Sequence, residues 1–143
     1  MKKFLTAILA LALTAAAAAQ NLPDVAGILG RLESNRVTSA YRIVVGTDAP
    51  VIYEGTATAQ GNCFRISGNG LEIYCDGSIL TVADPAAMEA YVEDASSLEE
   101  YIKSNIGGVT EFKLSGTSYG PKSDDKAPFV FEGGSDWIVT DLR

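Results

Sequence analysis

From Val37 to Glu93 apolar and polar residues alternate with a period of two, interrupted at short intervals by Gly, Asn, Asp and Pro. The first such run, Val37 to Val45, places Ser39, Tyr41, Ile43 and Val45 on one phase. Gly46 to Pro50 supplies a turn, and Val51 to Gln60 follows with Tyr53 and alternating threonines. After Gly61-Asn62, the run 62–67 folds back on 71–76 about Gly68-Asn69-Gly70, so that Phe64 faces Tyr74 and Cys63 faces Cys75. Asp76-Gly77 reads as a tight turn, Ser78 to Ala83 as a strand, Asp84-Pro85 as a turn and Met88 to Glu93 as another strand. Strands joined by such short turns predict an antiparallel meander.

Two segments switch to the helical period. Val25, Ile28, Leu29 and Leu32 form one apolar stripe within Leu22 to Ser34, with Asn21 as a cap and Pro23 in the first turn. Ser97-x-x-Glu100 is a capping box ahead of Leu98, Tyr101, Ile102 and Ile106, and Gly107 is a stop. Beyond it, Val109 to Ser115 regains strand character, Gly116 to Ala127 is polar and Gly-rich and reads as a mobile loop, and Phe129 to Glu132 and Trp137 to Leu142 read as closing strands. The pattern predicts an α+β fold: a curved antiparallel sheet with an N-terminal helix and a second short helix packed on its concave face.

The start of the chain belongs to no such element. Lys2 and Lys3, an apolar run from Phe4 to Ala15, and Ala17-Ala18-Ala19 before Gln20 have the organisation of a cleaved export signal. Residues 1–19 are therefore expected to be the signal and 20–143 a single exported, periplasmic domain. Losing Lys2 and Lys3 takes the net charge from −7 to −9, a surface that repels nucleic-acid phosphates. In an oxidising compartment the facing pair Cys63 and Cys75, the only cysteines, is expected to close a disulfide.

The chain contains no histidine, which excludes Ser–His–Asp triads, Cys–His nucleophiles and His-based zinc sites. Asp124-Asp125 lacks the spacing of a calcium loop, and Asp76 is explained by the geometry of its Asp-Gly turn. The residues point to a non-enzymatic protein with no catalytic residues, no metal and no cofactor. Ile28, Leu32, Tyr41, Ile43, Tyr53, Phe64, Ile66, Tyr74, Leu98 and Ile102 are either a filled core or the lining of an apolar cavity between sheet and helices.

The run Leu71-Glu72-Ile73-Tyr74-Cys75-Asp76-Gly77-Ser78-Ile79-Leu80, followed by Asp84-Pro85 and Met88-Glu89 and preceded by Gly61-Asn62-Cys63-Phe64-Arg65-Ile66, resembles the LolA-like family of periplasmic lipoprotein carriers. The resemblance covers roughly residues 22–115. It implies an incomplete antiparallel β-barrel with lid helices over an apolar cavity, and a monomeric carrier of lipid or lipoprotein acyl chains. The alternative is a non-catalytic periplasmic protein-interaction module with a filled core, whose partner is another protein of the cell envelope.

Overall fold

The computed structural model describes residues 31–97 and 109–143. The proposed signal, the greater part of the first helix with Ile28, and the second helix with Leu98 and Ile102 lie outside the described residues. Eight strands follow in chain order: β1 (Asn35–Val45), β2 (Val51–Gln60), β3 (Cys63–Gly68), β4 (Leu71–Cys75), β5 (Ile79–Asp84), β6 (Glu89–Asp94), β7 (Val109–Pro121) and β8 (Ile138–Asp141). They form one sheet in the order β7-β1-β2-β3-β4-β5-β6-β8. From β1 to β6 each strand pairs antiparallel with the next, and β7 lies antiparallel against β1. β8 pairs parallel with β6.

This architecture corrects the α+β expectation. Among the described residues the fold is a mixed β-sheet with three-residue 3₁₀ turns at Ala95–Ser97 and Ala127–Phe129, and not an antiparallel half-barrel covered by two helices. The described end of the first predicted helix is a single helical residue, Arg31, followed by a turn over 32–34. The parallel pair arises because the chain returns from β7, at one edge, across the sheet to β8 at the other. A crossover of that length frees β8 from the antiparallel direction that a tight turn imposes.

The central hairpin has a different register from the one expected. Asn69 (φ 54°) and Gly70 (φ 77°) both occupy the left-handed region, as a two-residue type I′ turn requires. Gly68 therefore pairs with Leu71, Phe64 with Cys75, and Arg65 with Tyr74. A slip of one residue reverses the face of every side chain on one strand. Cys75 shares a face with Phe64, and Cys63, one residue before Phe64, points to the other. Both cysteines are buried free thiols, which corrects the expected disulfide. Each finds a backbone acceptor instead: Cys63 donates to the Asp76 carbonyl at 3.3 Å and Cys75 to that of Asn62 at 3.8 Å.

Strand alternation sorts the sheet into two faces. On one, Phe64, Ile66, Leu71, Ile73, Cys75, Leu80 and Val82 form the main apolar cluster, with Tyr41, Ala57 and Ala59 packed against it. Here Tyr41 lies level with Gly55, and Gly55 with Gly68. A Cβ on Gly68 would meet the Glu54 carbonyl and, at 2.5 Å, the Tyr41 hydroxyl, so the phenol occupies the space that Gly68 leaves.

On the opposite face the residues are more polar, and the segment from Lys122 to Trp137 crosses them. Gln60, 5 % exposed, anchors its start: its amide nitrogen donates to the Ser123 carbonyl, and its Oε1 accepts the Ser123 N–H at 3.1 Å and Arg36 Nε at 3.2 Å. Arg36 also donates to the Asp125 carbonyl at 3.2 Å and sits 5.2 Å from the centre of the Phe129 ring. Phe129, 1 % exposed, is the apolar anchor. Residues 116–121 belong to β7 and 122–126 are tied to β1 and β2, so the expected mobile loop is not present. Nor is Phe129 to Glu132 a strand.

Candidate functional site

Of the residues expected to line a cavity, Tyr41, Ile43, Tyr53, Phe64 and Ile66 share one face of the sheet. Ile43 and Ile66 are each 1 % exposed and Phe64 is 7 % exposed, as in a packed interior. Burial of Tyr41 pushes its phenol above the ordinary range. Tyr74 is separated from this group, because the hairpin register turns it to the opposite face. Leu32 is a half-buried turn residue whose carbonyl accepts the Gly61 N–H at 2.7 Å.

The opposite face carries a groove of about 480 Å³, within the ~300–1,000 Å³ range of small-molecule sites. Ile79 and Thr81 of β5, Val92 of β6 and Val139 of β8 form its floor. These four fall on one face because Thr81 pairs with Val92, Ile79 is two residues from Thr81, and Val139 pairs with Ala90. The crossing segment Phe129 to Gly133 forms its wall, and Asp76 joins the lining.

An aromatic ladder holds the wall against the sheet. The Arg65 guanidinium lies 5.0 Å from the Tyr74 ring centre, Tyr74 meets Phe131 edge-on at 5.8 Å, and Phe131 meets Trp137 edge-on at 5.0 Å. Edge-to-face pairs of this kind contribute about 0.5–1.5 kcal/mol each beyond their buried area. Glu72 braces the ladder, accepting the Tyr74 hydroxyl at 2.9 Å and pairing with Arg65 at 3.3 Å. Burial, and then the Glu72 carboxylate, raise the Tyr74 phenol against the opposing effect of Arg65.

The polar side chains of the groove are few: two carboxylates and a hydroxyl. Asp76 Oδ1 accepts the N–H groups of Ser78 at 2.9 Å and Ile79 at 2.8 Å, the bonds of a turn. Burial acts to raise its pKa, but these backbone donors and nearby Lys126 outweigh it and hold the carboxyl below the usual range. Glu132 is exposed on the wall, and Thr81 is 6 % exposed on the floor. This set offers no nucleophile with an adjacent base, and among the described residues no group of His, Cys, Asp and Glu could hold a metal ion. Among the described residues the lining is apolar surface with two carboxylates and one hydroxyl.

The sequence pattern alone does not mark this site. Ile79, Thr81 and Val92 sat in strands read correctly as strands, yet which face they use depends on the hairpin register. Phe129 and Phe131 were read as strand residues, and the one available signal was Gly133-Gly134, which breaks the alternation next to them. No family model matches the chain and no curated protein matches it. The resemblance to LolA-like carriers thus rests on its sequence motifs alone.

Proposed function

We propose that the protein is an exported, non-catalytic binding protein of the cell envelope that carries an acyl or other alkyl chain in the groove between β5, β6, β8 and the crossing segment. The observation that carries this reading is a groove of about 480 Å³ walled by Ile79, Val92, Phe129, Phe131 and Val139. Each methylene of a guest moved from water to such a surface gains about 0.8 kcal/mol, so a chain of modest length supplies a useful affinity. The leader-like start from Lys2 to Ala19 supports export to the periplasm, and a net charge of −7 argues against nucleic acid as the partner. The carrier acts as a monomer and needs no cofactor for this task.

The test is uptake of the neutral lipophilic dye N-phenylnaphthylamine by the purified chain, with native mass spectrometry and solvent extraction of protein recovered from a bacterial periplasm. Saturable dye fluorescence displaced by dodecanol, or a co-purifying lipid, is expected. Absence of both overturns the reading.

One observation favours a second reading, a protein-interaction module. Edge strand β8 leaves Ile138 64 % and Val139 52 % exposed, and an exposed apolar edge is suited to pairing with a strand from a partner. A partner captured by the wild type, lost in Ile138→Lys, and found alongside an empty groove would establish that role instead.

A further inference from the structure

The groove's polar groups say which head group an alkyl-chain ligand carries. We propose that the ligand is a cationic amphiphile, an alkylammonium in chemical class, and not a fatty-acid anion; this rests on the alkyl-chain reading of the same groove. The groups that meet a guest's polar end are the carboxylates of Asp76 and Glu132 and the hydroxyl of Thr81, and no Lys or Arg is part of the lining.

The hydrogen bonds from Ser78 and Ile79 both end on Asp76 Oδ1. The carboxylate lines the groove together with Glu132, Thr81 and the apolar residues of floor and wall. Thr81 supplies an independent indication. It is 6 % exposed and belongs to the groove's floor. Its hydroxyl oxygen is an acceptor on the groove's floor that an ammonium donor can use.

An anionic head would meet two carboxylates of like charge. The chain as a whole carries a net charge of −7, which concentrates cations around it and disfavours anions. Lys126, the cation that Asp76 senses, is exposed and is not one of the lining residues.

The experiment is calorimetric titration of the purified chain with dodecylammonium, dodecanol and dodecanoate, each below its micelle concentration. A fourth arm uses vesicles of phosphatidylethanolamine, to separate a free amphiphile from a lipid head group of the same chemistry. The expected order is dodecylammonium, then dodecanol, then dodecanoate, with one dodecylammonium per chain at saturation. Asp76→Asn keeps the acceptor for Ser78 and Ile79 and removes the charge; it is expected to shrink the ammonium-over-alcohol preference by about tenfold, the size of one charge-assisted hydrogen bond.

Equal affinities for the three heads, or a preference for dodecanoate, overturn the head-group assignment and leave the alkyl-chain reading intact. Failure of both dodecanol and dodecylammonium to bind overturns the alkyl-chain reading itself. The wild-type ranking decides the matter even if the variant does not fold. Binding to vesicles with none to soluble dodecylammonium overturns the assignment of a free amphiphile.

Discussion

A methyl group added at Gly68 has no room. It would press on the Glu54 carbonyl and the Tyr41 hydroxyl, and the first of these is backbone and cannot rotate away. Gly68→Ala is expected to destabilise the fold by about 1–3 kcal/mol, read as a lower urea midpoint at unchanged slope. Gly70, two residues on, needs glycine for a different reason. Its surroundings are open, and only its φ of 77° disfavours a side chain. The Asn69-Gly70 pair was the strongest register signal in the sequence, because a type I′ turn uses those two residues and no third. Centring the hairpin on Gly68-Asn69-Gly70 instead made the two cysteines face each other, and that one-residue difference displaced both the disulfide and Tyr74. With the thiols on opposite faces, the melting temperature is expected to be the same in oxidising and reducing buffer. A substantial drop on adding reductant to freshly purified monomer would show a Cys63–Cys75 bridge.

At the scale of elements, β1 to β6 were legible because each strand is followed by its own turn residues and packs on its neighbour in sequence. The strands of the second half depend on partners far away in the chain, and local pattern does not name them. Gly116 illustrates this: by pattern it begins a mobile loop, yet it lies within β7 at φ 61°. There β7 carries an extra residue relative to β1, between the pairs Thr38–Ser118 and Ala40–Ser115. Ser39 secures the irregularity, sharing a 2.8 Å hydrogen bond with Thr117 and donating to the Ser115 carbonyl at 3.2 Å. The crossing segment depends in the same way on Gln60, 63 residues from Ser123 in sequence. Gln60→Ala leaves the Ser123 N–H and carbonyl without that partner and is expected to cost about 1–3 kcal/mol. Hydrogen exchange should show the loss of protection concentrated in residues 122–133 and not in the β3–β4 hairpin. Uniform loss across the sheet would contradict a local clasp.

At the scale of the molecule, the sheet divides its work between two faces. One face buries Ile43, Phe64 and Ile66, and the apolar residues visible in the sequence pattern mostly belong there. The face that carries the groove is assembled from strand residues and a returning segment whose meeting is a matter of topology. For that reason the composition left a filled core and an open cavity as alternatives, and the place of the groove was not legible in it. The central claim is that an alkyl chain occupies the groove beneath Phe129 to Gly133. Backbone amide chemical shifts of the ¹⁵N-labelled protein, followed by NMR through a titration with dodecanol, test it most directly. The account predicts saturating shifts clustered at Ile79, Thr81, Val92, residues 129–133 and Val139. Shifts clustered instead around Tyr41, Ile43 and Tyr53, or no saturating shifts at all, would contradict it.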